Sequence, residues 1–301
     1  MTVSLQKLRA LRREVGISPS LPLPSQGEAR TPVITPDAPR PATQSIEALR
    51  RLLGVRGRTL VPLHMRGPID RSLPGEEIAD GVWLTQAWLP IATPPPAWPL
   101  AFAKREETID PRDLLFFDTE TTGLAGGTGT RAFMVGAADF HHHPEHGDSL
   151  RVRQLLIATM AAETAMLREF AGWLSPRTVL SSYNGRCYDA PLLKTRYRLA
   201  RLDDPLRDLD HVDLLFPSRR RWRGRWENCR LATIEREALG ILREDDLPGS
   251  QAPAAWLQFL RGGSSALLKR VAAHNHQDVV TLALLMARLV ALHDEDGARA
   301  G

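Results

Sequence analysis

The stretch Leu114-Leu-Phe-Phe-Asp-Thr-Glu-Thr-Thr-Gly-Leu124 decides the fold. Four apolar residues, Leu114 to Phe117, run directly into two carboxylates, Asp118 and Glu120, separated only by Thr119. A continuous apolar run of this length, bounded by polar and glycine-rich sequence, predicts a strand buried on both faces. Side chains alternate along a strand, so Asp118 and Glu120 emerge on one face. Two buried acids on one face repel each other unless a positive partner lies between them. A divalent cation is the simplest partner, because Mg²⁺ and Mn²⁺ take oxygen ligands. The plainer alternative is a strand end whose acids face water or cap the next turn. Further acids downstream weigh against it.

Two further acidic stations follow. In Tyr183-Asn-Gly-Arg-Cys-Tyr-Asp189 a strand over Thr178 to Tyr183 ends, Asn184-Gly185 turns the chain, and Asp189 opens a helix reaching Leu199. Alone, Asp189 reads as an ordinary first-turn acid that complements the helix dipole. In His274-Asn-His-Gln-Asp278, His274 and Asp278 are four apart and share a helix face. Between these stations, Arg131 to Phe140 and Leu150 to Ile157 read as two strands around the polar turn His141 to Ser149. Glu163 to Leu174 has helical periodicity, Leu209 to Leu215 suits another strand, and helical patterns fill most of Asn228 to Leu292. Hairpin-like strands followed by strands alternating with helices indicate an α/β mixed sheet with helices against it.

Upstream, Leu5, Leu8, Leu11 and Val15 fall on one side of a short amphipathic helix with basic residues elsewhere. From Gly16 to about Thr43 the chain is rich in proline and small polar residues and reads as a disordered linker. Ser45 to Leu53 suits a helix, and Leu73 to Leu84 suits short strands broken by turns. The expected organisation is therefore a disordered arm (1–44), a small accessory segment (45–105), a main domain (106–292) and a tail (293–301).

The 301 residues are 43% apolar and 25% charged, the composition of an ordinary globular protein with a sizeable core. The net charge is +4, the isoelectric point is near 9.4, and arginine dominates the 39 basic residues. Arginine's planar fork suits phosphate, so an anionic partner is expected. The two cysteines have no zinc spacing and suit a reducing compartment. No apolar window is long enough to span a membrane, and Met1 to Arg13 lacks a signal-peptide core. A cytoplasmic location without membrane contact is the expectation.

Taken together, Phe117 to Leu124 with its Gly126-Gly-Thr-Gly-Thr130 extension, Tyr183 to Asp189, His211-Val-Asp-Leu-Leu215, and His274 to Asp278 resemble the DEDD exonuclease superfamily. Within it the chain looks most similar to bacterial YprB-like proteins, over roughly Leu114 to Leu292. The resemblance implies a ribonuclease-H-like fold and a 3′–5′ exonuclease acting on DNA or RNA. It also implies that Asp118, Glu120, Asp189 and Asp278 are the metal-binding acids. Asp118 would bridge two divalent cations, Mg²⁺ or Mn²⁺, with Glu120 and Asp278 on the nucleophile side and Asp189 on the other. Four acids from separate stations need counter-charge, and two ions would supply it while clamping a phosphodiester. His274 departs from the pattern, since the family usually has tyrosine at this spacing or histidine one residue earlier. Neutral imidazole there could take a proton from water or merely orient it. His276, on another part of the helix, is the weaker candidate.

The densest basic run, Arg219-Arg-Arg-Trp-Arg-Gly-Arg-Trp226, is a candidate nucleic-acid contact. Arg219, Arg220, Arg221, Arg223 and Arg225 would meet phosphates, while Trp222 and Trp226 would stack on bases. The competing reading is a solvated basic loop whose tryptophans pack on the body. Lys194 and Arg196 are lesser candidates. Gly126 to Thr130 lacks the lysine ending of a P-loop, and His141 to His143 with His146 suits a polar hairpin turn better than a metal site. Asp213 is expected to support the fold or the site from outside the catalytic set. The alternatives in function are an adaptor that binds nucleic acid without turnover, and an endonuclease on the same fold.

Overall fold

The computed structural model describes residues 69–123, 128–145, 147–243 and 247–300. The helices expected before residue 54, the 1–44 arm and His146 lie outside these residues.

Nine strands are present among the described residues: β1 (Glu76–Ala79), β2 (Val82–Pro90), β3 (Trp98–Pro99), β4 (Thr108–Ile109), β5 (Leu114–Thr121), β6 (Ala132–His143), β7 (Gly147–Ile157), β8 (Val179–Ser182) and β9 (Asp210–Asp213). Seven of them form one mixed sheet in the order β1-β2-β7-β6-β5-β8-β9, and β3 pairs with β4 separately. Neighbours from β1 to β5 are antiparallel, whereas β8 runs parallel to both β5 and β9. This is a ribonuclease-H-like mixed sheet flanked by helices.

The helices are α1 (Glu163–Ala171), α2 (Asp189–Leu199), α3 (Leu215–Trp222), α4 (Leu231–Ile234, continued as a π turn over Glu235–Leu239), α5 (Ala252–Leu260) and α6 (Ala266–Ala300). Alternation along β5 feeds two apolar clusters. Leu115 and Phe117 join Phe133, Phe170, Leu193 and Trp256 in one, and Leu114 and Phe116 join Trp98, Val212, Trp222 and Met286 in the other. The uninterrupted apolar run is therefore the mark of a strand covered on both faces. Helix α6 serves both clusters: Leu268 and Val271 belong to the first, and Val279, Leu282, Met286 and Leu289 to the second. Asn275 and Asp278 occupy the stretch between them.

Several elements differ from expectation. Residues 76–90 fall within the 45–105 segment expected to be a separate accessory piece, yet β2 pairs with β7 from Val82↔Ile157 to Pro90↔Ser149 and extends the main sheet. The polar Thr85 and Gln86 interrupt its apolar pattern, which makes one nine-residue strand look like a four-residue one. Strands β6 and β7 continue into the expected His141–Ser149 turn, pairing as far as His143↔Gly147. His141 and His143 flank the Trp88 ring at 5.4 and 4.5 Å, and His142 Nδ1 lies 2.9 Å from the Asp148 carboxylate. Among the described residues the tract thus packs as a hairpin. Helix α6 continues through the stretch expected as a tail, with Arg221 paired to Asp296 and Arg288 to Glu295. No helix among the described residues is long and apolar enough to cross a membrane.

Gly136 lies opposite Asp118 in the β5–β6 register, and an added Cβ would fall 2.0 Å from Asn275 Oδ1. Gly136→Ala is expected to destabilise the protein by about 1–3 kcal/mol through overpacking. Chemical denaturation checks this; an unchanged midpoint would contradict the close approach.

Candidate active site

Strand β5 carries Asp118 and Glu120, the first residue of α2 is Asp189, and α6 carries Asp278. Asp118 is the meeting point. Its carboxyl is held well above the usual range by burial, and then by the charges of Asp278, Asp189 and Glu120. Asp189 is pushed up to about 6 by burial, partly offset by the Thr119 hydroxyl that donates to it. Asp278 is raised too, chiefly by burial, with His274 and Arg243 pulling the other way. Glu120 is buried on the same strand. Asp189, Asp278 and Glu120 are therefore all brought within electrostatic reach of Asp118.

Asp118, Asp189 and Asp278 are held by protein groups. Asn275 Nδ2 donates to Asp118 Oδ2 at 2.9 Å, and Gln154 Nε2 donates both to Asn275 Oδ1 (2.9 Å) and to the Ala272 carbonyl (2.8 Å). Because the Gln154 amide donates to it, the Asn275 amide presents its NH₂ to the acid. The loop leading to Asp189 is fixed by Asp213. Its carboxylate accepts from the backbone N–H groups of Asn184 (2.7 Å), Arg186 (3.1 Å) and Leu215 (3.0 Å). Asn184 sits in the left-handed region at φ 71°, which asparagine tolerates. At Gly185 a Cβ would lie 2.5 Å from Ser182 Oγ and 3.0 Å from Asp189 Oδ2, so the turn has room only for glycine. Asp213 thus supports the site from outside it.

Asp278 has a cationic neighbour that carries no motif in the sequence. Arg243 donates to Asp278 Oδ1, while its Nε and Nη2 reach Glu235 at 2.5 and 2.8 Å. Glu235 is 1% exposed and also accepts from the Thr281 hydroxyl. The remaining guanidinium nitrogen, Nη1, lies 3.0 Å from His274 Nδ1. An arginine only donates, so Nδ1 is the acceptor in this contact, while Nε2 lies 3.4 Å from Asp278 Oδ2. His274 thus spans Arg243 and Asp278.

The donor set is all oxygen and self-repelling, which suits a hard divalent cation. Among the described residues, however, no three Asp, Glu, His or Cys side chains already converge as a metal cage. Asn275, Thr119 and Arg243 engage the carboxylates instead. The acids fit the ion chemically, and their side chains must turn from these partners to hold it.

The basic run is placed differently from expectation. Trp222 is 4% exposed within the second cluster, with Trp226 stacked on it at 5.3 Å between ring centroids. Trp222 is thereby withdrawn from base stacking, because its ring is part of the core. Arg221 pairs with Asp296 and Arg220 donates to the Phe102 carbonyl, whereas Arg219, Arg223 and Arg225 are exposed. Arg196 is also consumed: its Nε and Nη2 bond Glu163, both at 2.6 Å, and Nη1 reaches the Thr128 carbonyl. Cys187, in the loop braced by Asp213, is exposed.

Arg243→Met would leave Glu235 and Asp278 as buried acids without their cation. A loss of about 3–5 kcal/mol is expected at pH 7, the usual cost of breaking a buried ion pair from one side. It should shrink as the pH is lowered into the acid range, because Asp278, raised from its ordinary value by burial, takes up a proton there. Equal losses at pH 7 and in the acid range, measured by urea denaturation, would contradict this.

A family model described as RNase_H superfamily matches residues 115–290. The uncharacterized protein YprB of Bacillus subtilis (strain 168) is 39% identical over 171 residues, covering 56% of this chain and 40% of that protein. The chain thus spans well under two thirds of this relative's length. Among solved structures, one of exonuclease I overlays with a TM-score of 0.35 at 17% identity, covering 54% of this chain and 43% of the other. Exonuclease I of E. coli in complex with a dT13 oligonucleotide gives a TM-score of 0.31 at 17% identity, covering 59% and 40%. With more than half of its residues matched by the family model, and the four acids carried on the matched stretch, the chain belongs to the ribonuclease H superfamily.

Proposed function

We propose that this chain is a metal-dependent nuclease that hydrolyses phosphodiester bonds in DNA or RNA, acting as a 3′–5′ exonuclease. The observation that carries the proposal is the group of buried carboxyls Asp118, Asp189 and Asp278, each raised by burial, with Asp118 raised further by its acidic neighbours. Burying like charges is costly, and a fold that only needed stability would place apolar groups there. The exonuclease direction rests on the motif resemblance.

Asp118, Glu120, Asp189 and Asp278 would hold two divalent cations, Mg²⁺ or Mn²⁺. Such ions, when bound, lower the pKa of a water and neutralise charge on the phosphodiester. The chain's own groups set the stage. Asn275 aims Asp118, Thr119 aims Asp189, and Arg243 with His274 aims Asp278. For His274 to accept a proton, Arg243 must first leave Nδ1. A binding protein without turnover is the second reading, favoured by the ion pair between Arg243 and Asp278.

Wild type should shorten end-labelled single-stranded DNA or RNA in Mg²⁺ or Mn²⁺ and leave closed circles intact; EDTA should stop it. Asp118→Asn should lose at least about 100-fold in rate, more than supporting residues of metal sites usually cost. Full activity in that variant rejects the mechanism, and cutting of circles makes the enzyme an endonuclease.

The raised Asp189 carboxyl sets a pH signature in metal-free protein. Its folded value, about 6, exceeds the ordinary 3.8, so the folded state binds more protons across that window and stability falls as pH rises through it. Asp189→Asn should therefore stabilise metal-free protein at pH 7.5 by on the order of 1–3 kcal/mol and make little difference at pH 4. Thermal unfolding in EDTA at both pH values tests the sign.

A further inference from the structure

We propose that a cavity beside α2 is a nucleotide subsite, seating a backbone phosphate of the substrate strand between Arg186 and Lys194. This rests on the nuclease reading and names where the strand lies. The cavity, of about 380 Å³, has Ala190, Pro191 and Leu209 as apolar wall, with Arg186, Lys194 and His211 around it. Ala190 and Pro191 immediately follow Asp189 in the first turn of α2, so one short helical segment carries both the acid and part of this wall.

The case rests on which cations are still available. Arg105, also at the cavity, is neutralised by Asp210 and Glu107. Arg131 and Arg196 share Glu163, Arg151 and Arg153 share Asp139, and Arg221 pairs with Asp296. By contrast, the side chains of Arg186 and Lys194 are exposed and make no hydrogen bond or ion pair with a described residue. Their charges converge on one ring. His211 is pushed down to about 4 by burial first and then by Arg186, with Asp210 pulling the other way and Lys194 adding a smaller push, so it is neutral at pH 7. It lies 2.7 Å from the Ser182 hydroxyl. Two unneutralised cations over an apolar wall match a nucleotide, with the phosphate on the nitrogens and the sugar or base against Pro191 and Leu209.

Arg186 is also well placed mechanically. Its backbone N–H is held by Asp213, in the braced loop that delivers Asp189. A second cavity shares Lys194 and adds Arg198 and Arg207, but Asp203 and Asp204 offset those charges. Only the first is assigned as a subsite.

The test uses the full chain carrying Asp118→Asn, with fluorescein-labelled oligo-dT and oligo-rU 12-mers in Mg²⁺. Arg186→Glu/Lys194→Glu should weaken binding at least about tenfold at 0.1 M salt, and the slope of log affinity against log salt should fall by roughly 1.4 for two lost contacts to a single strand. The neutral pair Arg186→Gln/Lys194→Gln should show the same slope change with a smaller loss. A charge-matched control, Arg168→Glu/Arg261→Glu, should keep the parent slope. Parent-like binding by both cavity variants overturns the subsite while wild-type cleavage keeps the nuclease reading intact. An equal loss in the control also overturns it, since net charge alone would then explain the effect. If wild type neither binds nor cleaves either oligomer, the nuclease reading falls and takes the subsite with it.

Discussion

Buried negative charge is the constraint around which this molecule is arranged. Asp118 sits where Asp189, Asp278 and Glu120 all act on it, and burial removes the water that would screen them. Three neighbouring side chains answer that problem. Asn275 and Thr119 offer hydrogen-bond donors, and Arg243 offers a full positive charge to Asp278 while being tethered by the deeply buried Glu235. The arginine thus balances two acids at once. A divalent cation among the carboxylates would change that balance, because it would compete with Arg243 for the same oxygen charge.

The rest of the fold makes such a concentration of charge tolerable. Strand β5 lies inside the sheet, with β6 on one side and β8 on the other. Its apolar half is locked into two clusters on opposite faces, so its acidic half has little freedom to move away. Gly136 keeps the facing position of β6 clear, which lets Asn275 come down onto Asp118. On the other side, β8 and β9 end where Asp213 gathers three backbone N–H groups and turns the chain into α2. Apolar packing fixes the strands, and hydrogen bonds to one carboxylate fix the loop.

Much of this was legible in the residues, and the limits have physical causes. The apolar run before Asp118 announced a two-sided strand, and α2 begins and ends at Asp189 and Leu199 as its periodicity suggests. Spacing and motif identified the acids because chemistry restricts which residues can stand there. Arg243 left no such signal. It is one arginine among many, in a stretch read only as broadly helical, and the fold alone brings it to Asp278. The basic run over Arg219 to Trp226 misled at Trp222 for a related reason: composition reports charge and aromaticity, whereas the direction of Trp222 depends on how α3 meets the second cluster. Strand β2 was underestimated because its polar residues hide a pairing that β7 completes.

Helix α6 spans 35 residues, and its two ends answer to different parts of the interior. At 1.5 Å per residue this is a rod of roughly 52 Å, clamped near its start by one cluster and farther along by the other. Asp278 lies between the clamps, so its position is set by both and owned by neither. A slight loosening in either hydrophobic body would tilt or twist the rod and carry the carboxylate with it. Distant apolar residues such as Leu268 and Met286 therefore share in placing that carboxylate.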